Sequence, residues 1–120
     1  MSISSQAKEG ILLVQVQAPR LVEDSVLERL ERDVLELIDK ASEERVILDF
    51  ANVQFMSSSM LGKLVKIQKK CKEYKAKLKL ASVCEDIRQV FKITRLDKVF
   101  DIEKDVRSAR KAFLKRGLFG

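Results

Sequence analysis

The stretch Val46-Ile47-Leu48-Asp49-Phe50-Ala51-Asn52-Val53-Gln54-Phe55-Met56-Ser57-Ser58-Ser59-Met60-Leu61-Gly62 decides the reading of this chain. Val46-Ile47-Leu48 is continuously apolar and β-branched at its start, as strands covered on both faces tend to be. A short turn follows, and then three hydroxyls, on Ser57, Ser58 and Ser59, open an amphipathic helix. The unpaired N–H groups of a first helical turn and the positive end of the helix dipole gather at such a place. A phosphate there would find donors waiting and would bring roughly −1.5 to −2 charge. The pattern points to a switch and to little in the way of catalysis.

Working toward the C-terminus, the helix carries Met60, Leu64, Ile67, Cys71 and Tyr74 at spacings that make one apolar stripe, with lysines between them. Leu78-Lys79-Leu80-Ala81-Ser82-Val83 reads as a strand, and residues 85–93 as a short helix with Ile87, Val90 and Phe91 inward. Val99-Phe100-Asp101-Ile102 reads as a last strand, after which Asp105 caps a helix bearing Val106, Ala109 and Phe113. Toward the N-terminus, Ile11-Leu12-Leu13-Val14-Gln15-Val16 is β-prone, residues 3–8 can pair with it as a hairpin arm, and Pro19 ends the strand. Ser25-Val26-Leu27-Glu28 is a capping-box pattern that opens a helix with apolar positions 27, 30, 34, 37, 38 and 41, ending near Ala41 or Ser42. Strands alternating with helices require crossover connections. The expected fold is therefore α/β: one domain over residues 1–120, with a mixed, largely parallel sheet of four to five strands and about four helices. Open sheets of this kind work beyond the carboxyl ends of their strands, which is where the serine cluster falls.

Composition narrows the chemistry. The chain has 120 residues, of which 46% are hydrophobic and 35% charged, an ordinary balance for one core. It contains no histidine, which removes Ser-His and Cys-His nucleophiles, imidazole acid–base chemistry and most zinc sites. No glycine-rich phosphate loop, CxxC pair or converging carboxylates replace it, so the expectation is no enzyme, no cofactor and no metal. No apolar run nears the ~20 residues that cross a bilayer, and the N-terminus does not read as a signal peptide. The expected compartment is the cytoplasm, where Cys71 and Cys84 are reduced and core-facing. Net charge is +6, and residues 63–79 hold eight lysines against the single acid Glu73. Such a run can steer an acidic partner or attract nucleic acid without sequence preference. The plainer reading is a solvated helix face followed by a lysine-protected strand.

With that order of elements and that serine turn, the chain resembles the STAS domain family, and within it the bacterial anti-sigma factor antagonists. Residues 48–62 are similar to the family's strand, turn and Asp-Ser-Ser-Gly-Leu-Gly helix start; residues 90–102 are similar to its third helix, following turn and last strand. The resemblance implies a regulatory protein that binds an anti-sigma factor with serine kinase activity and is released by phosphorylation. By position, Ser58 matches the phosphorylated serine and Ser59 the second serine. Ser57 stands where the family has aspartate, Met60 and Arg95 where it has glycine, while Leu61 and Gly62 agree.

The expected partner-binding residues are accordingly Ser57, Ser58, Ser59, Met60, Gly62 and Asp49, with Ser58 as the phosphorylation site. Each also has a plainer role. Ser57 is the natural N-cap, Asp49 can bond to loop N–H groups, and Met60 fits the apolar stripe. The basic, aromatic C-terminal residues 113–120 could touch an oligomer partner or a membrane surface, a frayed tail being the commoner outcome. No nucleic-acid or membrane partner is expected, and a homodimer stays open. An alternative keeps the fold as a scaffold or interaction module without phosphorylation; a minor alternative is non-specific nucleic-acid binding through the lysine run.

Overall fold

Glu9 and Gly10 both adopt positive φ, 55° and 76°. A two-residue loop of that kind matches the twist of the strands that it joins. It closes a hairpin between β1 (Ile3–Lys8) and β2 (Ile11–Val16), antiparallel with Lys8 opposite Ile11. The computed structural model describes residues 3–119, with side chains through residue 115. Beyond the hairpin the chain alternates: β3 (Arg20–Leu21), α1 (Asp24–Lys40), β4 (Arg45–Asp49), β5 (Phe55–Met56), α2 (Ser58–Glu73), β6 (Lys77–Ala81), α3 (Glu85–Ile93), β7 (Asp101–Glu103) and α4 (Val106–Phe119). The main sheet has the order β1-β2-β4-β6-β7, parallel except for the hairpin, while β3 and β5 form a separate parallel ribbon. Five strands, mostly parallel, and four helices are what the sequence pattern predicts.

The period-2 alternation of β4 explains its continuous hydrophobicity. Val46 and Leu48 join a large core with Leu27, Leu30, Val34 and Ile38 of α1, Met60, Leu64, Ile67 and Cys71 of α2, and Ile87 and Phe91 of α3. Ile47 faces the other way, into a smaller core of Ile11, Leu13, Ala81, Ala109 and Phe113 beneath α4. Phe113, placed by sequence both in the last helix and at the start of the basic tail, is a core residue of that helix; side chains past 115 lie outside the described residues.

Several local expectations need correction. Ser25 is not a cap: α1 begins at Asp24 with Glu23 in the N-cap position, two residues earlier than a Ser25 cap would place it, and no side chain closes its first turn. Tyr74, placed on the inward stripe, sits just past α2 with its ring half exposed and its hydroxyl donating to Asp39. Val90 lies on the outer flank of α3. Val99 belongs to a 3-10 turn over Leu96–Lys98 and its cap, so the last strand starts only at Asp101. Asp105 does cap the last helix, accepting from the Ser108 amide at 2.8 Å.

Lys79 departs furthest from the solvated lysine expected on β6. It is buried at 5% exposure, its ammonium donating to Asp101 and, at 3.0 Å, to Glu103, and standing 5.1 Å from the centre of the Phe113 ring. Burial lowers its pKa, but the two carboxylates outweigh that and hold it above the ordinary lysine value.

Candidate functional site

The serine turn is held from behind. At the end of β4, Asp49 accepts the Ala51 amide at 3.0 Å through Oδ1 and the Gln15 amide side chain at 3.1 Å through Oδ2. The Phe50 amide reaches the Ala81 carbonyl at 2.9 Å, crossing to β6. The Gln54 and Phe55 amides both donate to the Pro19 carbonyl, at 2.8 and 3.2 Å, and the Ser57 amide donates to Leu21 at 2.9 Å. The β3–β5 ribbon therefore delivers Ser57 to the start of α2 at a fixed point. Asp49 takes the plainer of its two sequence roles: it is buried and braces the loop, away from any surface that a partner could touch.

The three serines then separate. Ser57 occupies the N-cap in extended backbone (φ −79°, ψ 162°), and its carbonyl accepts the Met60 amide at 3.1 Å. Its hydroxyl makes no capping bond and is buried without a partner, so the cap expected from its side chain is absent. Ser58 and Ser59 are exposed. Met60, expected among the partner-binding residues, is 1% exposed and packs in the large core, because it shares the stripe of Leu64, Ile67 and Cys71. Gly62 is exposed one turn on, and a Cβ built there would meet nothing within 4 Å. Of the six residues named by sequence, Ser58, Ser59 and Gly62 thus share the outer surface, while Ser57 backs the turn and Met60 and Asp49 support it from inside.

Two residues of this surface escape a sequence reading. Phe55 is 49% exposed, with the Arg20 guanidinium 4.9 Å from its ring centre, and Val22, just after β3, is also exposed. The only signal is an aromatic next to the turn, and the two-residue pairing of Arg20 with Phe55 that fixes its direction is not local. The first turn of α2 contains no acidic residue.

The STAS domain model matches residues 2–109. The chain belongs to the STAS domain family. A protein of Bordetella bronchiseptica assigned provisionally as the anti-sigma factor antagonist BtrV is 26% identical over 113 residues, covering 94% of this chain and 95% of that one. Among solved structures, an anti-sigma factor antagonist (STAS) domain protein from Planctomyces limnophilus superposes with a TM-score of 0.80 at 23% identity, covering 92% and 95% of the two chains. The phosphorylated form of the Bacillus cell fate determinant SpoIIAA superposes at 0.67 with 14% identity, covering 92% and 98%. This STAS domain is therefore like the anti-sigma factor antagonists in both sequence and fold. Among its described residues no helix is long and apolar enough to cross a membrane.

Proposed function

We propose that this STAS domain is a non-enzymatic, cytoplasmic regulator that binds an anti-sigma factor through the outer surface around Ser58, and that phosphorylation of Ser58 by the same partner, acting as a serine kinase, releases it. One observation carries the reading: of three adjacent serines, Ser58 is exposed on the first turn of a helix whose approach is fixed by backbone bonds from Ser57, Phe55 and Gln54. Support also comes from SpoIIAA, whose solved structure is of a phosphorylated form.

Unmodified, the turn offers small neutral hydroxyls and unpaired helix-start amides for docking. A phosphate added to Ser58 meets no carboxylate in that turn and is favoured by the helix dipole, so the domain itself tolerates it. The partner does not. A dianion sealed into an interface or set against acidic groups costs several kcal/mol, and every ~1.4 kcal/mol is tenfold in affinity.

The test is recovery of partners from the native cell on wild-type, Ser58→Ala and Ser58→Asp baits, with phosphopeptide mapping of residues 57–59. The expected result is an anti-sigma factor on the first two baits, none on the third, and phosphate on Ser58. A complex that ignores Ser58→Asp, with no phosphate at any of the three serines, would replace this reading with the phosphorylation-independent module. The serine that stands where the family has aspartate, Ser57, favours that second reading.

A further inference from the structure

The helix that presents Ser58 continues in a direction that the serines do not explain. Ser58, Ser59, Gly62, Lys66, Lys69 and Lys72 are all exposed along the outer side of α2. At 1.5 Å of rise per residue, Lys66 stands about 12 Å and Lys72 about 21 Å beyond Ser58 along the axis. Not every lysine of the run is available. Lys63 pairs with Glu31 at 3.3 Å, Lys70 lies over the Tyr74 ring at 5.0 Å, and Lys79 is buried with its carboxylates. Lys66 only grazes Glu31, at 4.0 Å, and keeps 67% of its side chain exposed. Among the described residues, Lys69 and Lys72 have no carboxylate oxygen within 4 Å of their ammonium groups. Glu73 is the one acid in this stretch of the helix.

Three outward ammonium groups repel one another and contribute nothing to the core, whereas α1, the neighbouring helix, has satisfied its side of α2 with Glu31. Between the hydroxyls and the ammonium groups lies Gly62, whose missing side chain leaves open space, so a partner can lie close against the whole stripe.

We infer that the partner surface covering the Ser58 turn carries a cluster of carboxylates about 12–21 Å away from it, matched to Lys66, Lys69 and Lys72, which steers the two proteins together along α2. This inference rests on the docking reading given above. A protein surface fits better than a nucleic acid. The stripe has no arginine and includes Glu73, and of the aromatics near it Tyr74 is tied to Asp39 and Phe55 has the Arg20 guanidinium against its ring, so neither is free to stack on a base.

The experiment measures association and dissociation of the purified anti-sigma factor with wild type, Ser58→Asp and the triple variant Lys66→Glu/Lys69→Glu/Lys72→Glu, across a range of salt, with circular dichroism to verify that each variant is folded. The wild-type association rate is expected to fall as salt rises. The triple variant is expected to associate about tenfold or more slowly at low salt, to lose that salt dependence, and to dissociate at nearly the wild-type rate. If the complex forms, is broken by Ser58→Asp, and yet the triple variant associates like wild type, the stripe plays no steering part and the inference fails alone. If no anti-sigma factor binds even the wild type, the docking reading fails and this inference with it. Tighter binding of a mixed-sequence 20-base-pair DNA duplex than of the anti-sigma factor would make the stripe a nucleic-acid surface and overturn the inference too.

Discussion

Replacing Gly62 with alanine separates what the fold needs from what docking needs. Glycine inside an exposed helix is worse than alanine by about 0.5–1 kcal/mol, because the unfolded chain loses more freedom on folding. That penalty is usually offset by a positive φ or by a neighbour that excludes a Cβ. Gly62 has neither: it is in the second turn of α2, its φ is not positive, and its Cβ would point into open space. Gly62→Ala is therefore expected to stabilise the domain by about 0.5–1 kcal/mol. With roughly 2.1 cal/mol/K of unfolding entropy per residue, a chain of this length has a total near 0.25 kcal/mol/K, so the melting temperature rises by about 2–4 °C. Binding is expected to move the other way, since a methyl group forced into a close-packed interface typically costs about 1–3 kcal/mol, or about five- to 150-fold in Kd. Thermal unfolding and titration calorimetry with the anti-sigma factor read the two effects on one sample. A variant that melts higher and binds as tightly as wild type would refute the claim that the partner lies against this glycine.

Other perturbations test the fold around the site. Lys75 and Arg95 hold left-handed backbone, at φ 58° and 62°, just past the ends of α2 and α3. Glycine at either position is expected to raise stability by about 0.5–1 kcal/mol in urea unfolding, and unchanged midpoints would mean that these side chains repay the strain through contacts of their own. Burial pushes the Cys71 thiol up to about 11, whereas Cys84 is only half-buried at the N-cap of α3. Iodoacetamide at neutral pH should therefore label Cys84 and leave Cys71 intact in the folded protein; fast labelling of Cys71 would contradict its place in the core. The raised pKa of Lys79 stabilises the fold at every pH below the ordinary lysine value of 10.5, and this contribution disappears as pH rises through the higher folded value. Melting temperature should thus fall more steeply above pH ~10.5 in wild type than in Lys79→Met, and parallel curves would show that the pairing with Asp101 and Glu103 is worth little.

What the sequence conveys and what it hides follows from how local each feature is. The bounds of the first hairpin's strands and of α3 are legible in the sequence, because alternation, helical period and turn residues are all written within a few positions of one another. The character of β4 was legible for the same reason, its unbroken apolar run matching burial on both faces. Lys79 was not: Lys-Leu-Lys-Leu-Ala looks like a half-solvated strand until α4 returns over that face and β7, 22 residues later, brings Asp101 alongside. The end of α2 is hidden by a lysine, Lys75, standing where glycine usually marks a left-handed stop. At the site, helical spacing already separates Met60 from its neighbours, since Met60, Leu64, Ile67 and Cys71 make one stripe. The exposure of Phe55 was beyond reach because it depends on a two-residue strand whose partner is 35 residues away.

That two-residue ribbon also explains why charge can be added at Ser58 at little cost to the fold. The bonds that position the turn run backward, from the amides of residues 54, 55 and 57 to the carbonyls of Pro19 and Leu21, and the packing that holds the helix start comes from Met60, Leu61 and Leu64 on its inner face. None of these groups includes the Ser58 side chain. Ser57 is the opposite case: its amide and carbonyl both serve the framework, and its hydroxyl is enclosed, so a phosphate there would have to break the support that aims the helix. Two hydroxyls one residue apart thus differ in kind. A phosphate on the first would perturb the architecture, and one on the second would alter only the surface offered to a partner, which is the property a reversible binding switch requires.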